Sequence, residues 1–172
     1  SSDLRLDNRE VQIAPAELLN YMDDSKIKLV PLDVRDESSF NQFHLAGSVH
    51  VPLEEGKDKA RELHFELANT VFVTISNDEI AATEAWKILK AESLPNIYIL
   101  EGGINNWLRT YGGKAFSDEN RLSDPEPDQL AYKFNSATGS RHPAAEPDPH
   151  FLDLKYEPKV ILELKRAPTS GG

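Results

Sequence analysis

The sequence predicts an α/β domain, a parallel sheet covered by helices, followed by a C-terminal extended arm. Three observations carry this expectation. Between residue 11 and about residue 112, short apolar runs of strand length alternate with segments of helical spacing. Runs such as "TVFVTI" (70–75) have the composition of strands buried on both faces, as parallel sheets under helices require. After residue 113 the composition turns to Pro, Ser, Asp and Glu without a helical stripe, which reads as a linker or a surface-hugging arm.

In chain order, "APAELLNYMDD" places Pro15 near a helix start, with Leu18, Leu19 and Met22 at helical spacing. "IKLVPLDV" (27–34) reads as a buried strand, "ESSFNQFHL" as a short helix, "GSVHVP" as a short strand and "GKDKARELHFEL" as a helix. The strand at 71–75 ends at Ser76-Asn77-Asp78-Glu79 and leads into a helix over 79–92, whose Ala82, Ala85, Ile88 and Leu89 form an inward stripe. "NIYIL" (96–100) is the last buried strand, and "GGINNWLRTYG" a closing helix that Gly112 and Gly113 stop. In the arm, "FLDLKYEPKVILELKR" (151–166) alternates around Phe151–Leu154 and Val160–Leu164, as strands of a half-exposed hairpin or edge would. Tyr132, Phe134 and Tyr156 are either contact points or buried against the domain. The expected division is a domain over 10–113 and a Pro-rich, acidic extension over 114–172.

Bulk properties narrow the function. The 172 residues suit one domain plus an extension, and 39% apolar content supports a real core. A net charge of −10 disfavours nucleic-acid and anionic-membrane surfaces, which need clustered Lys and Arg. No apolar run approaches the ~18 residues of a membrane span, and "SSDLRLDNRE" has no signal-peptide core. A soluble segment is expected, with its compartment open: cytoplasmic, or exported after removal of a leader or anchor. There is no cysteine, which removes disulfides, thiolate metal sites and cysteine nucleophiles together.

Parallel sheets bind ligands at the carboxyl ends of their strands. Three such ends stand out: Asp33-Val34-Arg35, Ser76-Asn77-Asp78 and Glu101-Gly102-Gly103. The pieces "PLDVRDESSFNQFHLAGSVHVP" (31–52) and "NIYILEGGINNW" (96–107) carry a resemblance. The first is similar to the Asp-x-Arg segment and Gly-His-Ile-x-Gly-Ala motif of rhodanese-like (sulfurtransferase homology) domains, the second to their closing Glu-Gly-Gly-x-x-x-Trp motif. The resemblance implies a three-layer α/β fold with a central five-stranded parallel sheet flanked by helices. Its motif residues here are Asp33, Arg35, His44, Gly47, Glu101, Gly102, Gly103 and Trp107. Phe43 stands where that family usually has Gly, and Ala46 where it usually has Pro. Asp33 and Arg35 read as a loop-bracing ion pair, and His44 as a packing residue, since no second His or Cys stands at ligand spacing.

The decisive departure is the loop. Family enzymes begin it with cysteine and usually include Gly and Arg; here it runs Ser76, Asn77, Asp78, Glu79, Ile80 and Ala81. Sulfur transfer needs a thiolate that holds a persulfide, and positive potential to bind an anionic donor. A serine hydroxyl holds no persulfide, and Asp78 and Glu79 repel anions. Ser-x-x-Glu instead fits a capping box, with Ser76 accepting from a helix N–H and Glu79 reaching back to the Ser76 N–H, although Asn77 or Asp78 serves equally well as the cap. No catalytic residue, cofactor or metal is assigned. The expectation is a protein-binding or regulatory module without thiosulfate sulfurtransferase activity, which binds a protein partner or self-associates. Two alternatives stand beside it. One is an enzyme or metal site using Ser76, Asp78 and Glu79, for which His50 and His64 are the only candidate bases inside the domain. The other is a structural subunit assembling through its arm.

Overall fold

A computed structural model describes residues 3–162. Five parallel strands form one sheet in the order β1-β5-β4-β2-β3: β1 (Gln12–Ile13), β2 (Lys28–Asp33), β3 (Val49–His50), β4 (Thr70–Ile75) and β5 (Ile97–Leu100). β4 is central and buried at all six positions, which its run of Val, Phe and Ile dictates. Its register with β2 pairs Leu32 with Thr74 and Asp33 with Ile75, so the two strands end side by side. Three of the strands follow the apolar runs of the sequence, and β3 lies within the short strand expected at "GSVHVP". β1 is the fifth, and its two residues are too few to show any period.

Helices flank the sheet. After α1 (Leu4–Asp7), α2 (Pro15–Met22) packs on α6 (Gly103–Tyr111), while α4 (Gly56–Leu63) packs on α5 (Ile80–Ala91); α3 (Glu37–Gln42) follows β2. Pro15 occupies the first turn of α2, where its missing N–H costs nothing. α5 buries Ala82, Ala85, Trp86 and Leu89, and α6 buries Ile104, Trp107 and Leu108, so each helix turns one stripe inward. The chain leaves β2 towards β3 and leaves β4 in the opposite direction towards β5. The crevice outside the ends of β2 and β4 is therefore the switch point at which such sheets hold ligands.

The C-terminal segment departs from the sequence reading in two ways. It begins with a helix, α7 (Lys114–Asn120), whose only apolar anchor besides Ala115 is Phe116. That ring stacks on Tyr132 and meets Phe134, so tertiary contact rather than a stripe decides the helix. Second, 151–162 forms no strand. Pro149–Phe151 is a 3-10 turn, and Phe151 and Leu152 are both exposed, Phe151 at 87%, so the Phe151–Leu154 piece buries no common face. Residues 163–166 of the expected hairpin lie outside the described residues.

From 156 to 162 the chain is held by side chains instead of a ladder. Glu17, fully buried on α2, accepts the backbone N–H groups of Lys159 (2.9 Å) and Val160 (3.0 Å) and the Tyr21 hydroxyl (2.8 Å). Burial first, and then the Glu17 carboxylate, push the Tyr21 hydroxyl far above its ordinary pKa. The Tyr98 hydroxyl accepts from Ile161 N–H, and Asn20 donates to the Tyr156 hydroxyl. Tyr132 is buried, and Phe134 and Tyr156 are partly so. All three aromatics pack on their own domain.

Candidate functional site

Buried charge organises the crevice. Asp33, at the end of β2, and Arg35 form an ion pair at 2.9 Å with both side chains almost wholly excluded from solvent. Such a pair is tolerated only when its remaining hydrogen-bonding groups are satisfied. Here Asp33 also accepts Arg35 N–H (3.1 Å), while the guanidinium reaches the Phe43 carbonyl (2.5 Å) and the Asn77 side-chain oxygen (3.2 Å). One arginine thus ties the β2 end, the end of α3 and the loop after β4 together. His44 lies parallel to Phe40 at 3.8 Å, with its Nδ1 against the Phe40 carbonyl. Gly47 takes φ +78° in the turn that follows.

The loop after β4 is closed on itself. Ser76 is fully buried; its Oγ accepts Ala82 N–H at 3.0 Å and donates to the Asp78 carbonyl at 2.5 Å. Asp78 accepts Ile80 N–H (2.8 Å), so the first and third N–H groups of α5 are both capped from within the loop. The register expected of the capping box is corrected in one respect. Ser76 does serve the third helical N–H, but the residue flanking the helix is Glu79, whose side chain turns away from Ser76. Glu79 pairs with Arg9 (2.7 Å) and accepts Gly102 N–H (2.8 Å). Half-burial opposes its charge, yet the Arg9 and Gly102 hydrogen bonds hold its carboxyl below the usual range. Gly102 and Gly103 open α6 with φ +70° and +63°, which lets the α6 backbone lie on the loop: Ile104 and Asn105 N–H donate to the Ser76 and Asn77 carbonyls, both at 2.9 Å. Ile80 is half exposed and Ala81 partly so.

The arm covers this loop. Asn77 donates to the Asp128 carbonyl (2.9 Å), and Asp78 accepts Asp128 N–H (2.7 Å). Asn105 on α6 donates to the Gln129 carbonyl (2.9 Å) and accepts Ala131 N–H (2.8 Å). Three side chains thereby hold the main chain of 128–131, with no side chain of that stretch among these contacts. Asp128 sits at φ +61°, and burial followed by repulsion from Asp78 and Asp36 raises its carboxyl pKa. Further along, Trp107 Nε1 donates to the Ala144 carbonyl (2.6 Å), and Ala46 N–H to the Ala145 carbonyl (3.1 Å). Phe43 stacks on Phe134 at 5.1 Å. Between α3 and the arm remains a cavity of about 640 Å³, bordered by Asp36, Ser39, Gln42, Asn77, Asp128 and Lys133.

The structure therefore gathers Asp33, Arg35, Ser76, Asn77, Asp78, Gly102 and Gly103 at one end of the sheet. Neither candidate base is bonded to the Ser76 hydroxyl, whose partners are the Asp78 carbonyl and the Ala82 N–H. His50 Nε2 faces the Arg35 carbonyl, and His64 Nε2 faces the Glu92 carbonyl. Asp78 and Glu79 turn to different partners, and among the described residues no group of three or more His, Cys, Asp or Glu is arranged to hold a metal ion. Sequence reasoning missed Phe43, Asn105 and Asp128 as residues of this site. Only Phe43 had a signal, its bulk in place of a usual glycine, and its role is to seat Phe134.

Fold and site together define an α/β domain whose loop after β4 carries a buried serine and no cysteine. A profile of the rhodanese-like domain matches residues 14–110, more than half of the chain, and the chain belongs to that family. Curated proteins give no match. Solved structures agree on the fold. A thiosulfate sulfurtransferase from Pseudomonas aeruginosa aligns with TM-score 0.54 at 20% identity, over 64% of this chain and 21% of that one. A protein from Bacillus halodurans gives 0.52 at 19%, over 63% and 78%. The rhodanese-like domain of an Anabaena protein gives 0.52 at 18%, over 73% and 95%. With no cysteine among its 172 residues, this chain has no thiolate to carry sulfur and no sulfurtransferase activity of the family's cysteine-dependent kind. Among the described residues no helix is long and apolar enough to cross a membrane.

Proposed function

We propose that this chain is a non-catalytic rhodanese-like module that binds protein, and that the loop where relatives keep their nucleophile is a seat for the main chain of a turn. The observation that carries the reading is the set of four hydrogen bonds from Asn77, Asp78 and Asn105 to the backbone of residues 128–131. Main-chain recognition of this kind accepts a segment for its conformation and leaves its side chains free to be read elsewhere. The resident segment is the chain's own arm. A partner supplying an equivalent segment would compete with it, which makes the module regulatory.

An enzymatic use of Ser76 has less support, because both hydrogen-bonding roles of its hydroxyl are taken within the loop. Assembly through the arm also has less, because the arm up to residue 162 folds back onto Glu17, Tyr98 and Trp107 of its own chain.

Two measurements test the proposal. Ser76→Cys restores the family's nucleophilic atom but leaves Asp78, Glu79 and the arm in place. Thiosulfate:cyanide turnover should stay at the protein-free background for both the parent and this variant. Turnover by the parent chain would end the non-catalytic reading. Asp128→Pro removes the N–H that Asp78 accepts and forbids the positive φ, so it should lift residues 128–131, the strap, from the seat. A peptide spanning residues 124–135 should then shift the Ile80 and Asn105 amide resonances of Asp128→Pro in a saturable way. No shift in a variant that still melts cooperatively would overturn the seat.

A further inference from the structure

We infer that His142 is a pH-operated latch on the arm, holding the loop seat closed when neutral and releasing the arm when protonated. The inference concerns regulation of the same seat and rests on that reading only for its consequence, not for its mechanism.

His142 flanks the 3-10 turn Pro143–Ala145, and its Nδ1 accepts Ala144 N–H at 3.1 Å. An accepting Nδ1 carries no proton, so the imidazolium, which donates from both nitrogens, cannot make this bond. The ring stands edge-on to Phe43, Phe116 and Phe134, with centroids at 5.8, 4.9 and 5.4 Å. These rings come from the end of α3, from α7 and from the arm, so the imidazole sits where three elements meet. The turn it caps is the arm's deepest attachment. Ala144 and Ala145 are buried, and their carbonyls accept from Trp107 Nε1 and Ala46 N–H. Phe134 lies two residues beyond Tyr132, which is buried beside Ala131, the last residue held by Asn105. Loosening at His142 therefore reaches the strap through adjoining packed residues.

The charged surroundings do not compensate. On the elements around the ring, Glu37 of α3, Lys114, Asp118 and Glu119 of α7, and Lys133, Arg141 and Glu146 of the arm are exposed, and none pairs with His142 among the described residues. His44, the other titratable ring nearby, is turned to the Phe40 carbonyl. Burial lowers the pKa of His142, with no charged neighbour contributing. The sign follows: a folded-state pKa below the unfolded value of about 6.5 gives stability that is complete above it and lost as pH falls through the folded value. Asp128 titrates with the opposite sign, since a raised carboxyl pKa favours the strap on acidification, so it cannot imitate the effect.

Amide hydrogen exchange on the full chain without any peptide, at pH 7.5 and 5.0 and corrected for intrinsic rates, tests the latch. Protection of the Ala46, Ala131 and Ala144 amides should fall several-fold at pH 5.0, while the sheet amide of Ile99, bonded to the Val11 carbonyl, keeps its protection. His142→Asn keeps a capping acceptor but does not titrate, and should abolish the difference between the two pH values. Equal loss at Ile99 and Ala131, loss confined to Ala144, or an unchanged pH response in His142→Asn would each overturn the latch. If His142→Asn does not fold, the comparison of arm and sheet amides in the parent chain decides alone. Because no peptide is present, the latch can fail while the seat still binds, and the seat can fail while the latch still opens.

Discussion

Arg35→Met should lower unfolding stability by about 3–5 kcal/mol, read as a shift in the denaturant midpoint at unchanged slope. The size follows from what remains rather than from what is removed. Asp33 has no exposed surface, and without the guanidinium its carboxylate keeps only the Arg35 backbone N–H among its present partners. Methionine fills much of the volume but leaves a buried charge unpaired, and it strands the Phe43 carbonyl and the Asn77 side-chain oxygen. Arg35→Lys should recover little, because an ammonium cannot reach the Asp33 carboxylate, the Phe43 carbonyl and Asn77 from one planar fork. Removing both charges in Asp33→Asn/Arg35→Met should cost less than Arg35→Met alone, since the unpaired carboxylate is then gone. A loss below about 1 kcal/mol for Arg35→Met would show that the pair does not hold the crevice together.

That pair was legible as a spacing, Asp-x-Arg after an apolar strand, because one strand end presents both side chains to the same place. The strands with four or more residues were legible for a similar reason: burial on both faces forces a continuous apolar run. β3, equally short, lay within the "GSVHVP" expected as a strand, whereas β1 stands in no apolar run and only its pairing with β5 makes it a strand. α7 and the 151–162 segment misled in opposite directions. In α7 a single aromatic anchor suffices because Tyr132 and Phe134 lie across from it. In 151–162 the alternation is real, but the fully buried Glu17 draws the Lys159 and Val160 N–H groups and sets the path by hydrogen bonding instead.

The site was half legible. The absent cysteine and the acidic loop excluded sulfur chemistry from sequence alone, because that chemistry depends on atom types. What fills the crevice depends on contacts between residues about 25 to 50 apart, Asn105 with Gln129 and Ala131, and Asn77 and Asp78 with Asp128. Asparagines in polar surroundings announce no such partner, and Asp128 in a Pro-rich acidic stretch reads as solvated chain.

Gly103→Ala should cost about 3–4 kcal/mol, and the reason separates steric demand from chemistry. Its φ of +63° alone penalises any side chain by roughly 1–2 kcal/mol. A Cβ there would also stand 2.5 Å from the Ser76 carbonyl oxygen and 2.7 Å from that of Asn77, with the Asp78 carbonyl oxygen in collision as well. Three backbone oxygens cannot rotate aside like a side-chain end. The start of α6 must back away, loosening the Ile104 and Asn105 N–H bonds to the loop at roughly 1 kcal/mol each. Gly47→Ala is the control. Its φ is +78°, but a Cβ would meet nothing within 4 Å, so urea denaturation should show only the conformational cost of roughly 1–2 kcal/mol. Equal losses at the two positions would mean that φ, and not the packing of α6 on the loop, sets the requirement at Gly103. Unequal losses give the Glu-Gly-Gly segment a structural basis that needs no catalysis: the second glycine is required wherever α6 lies directly on the loop after β4, whether that loop carries a nucleophile or, as here, a serine bound into its own helix cap.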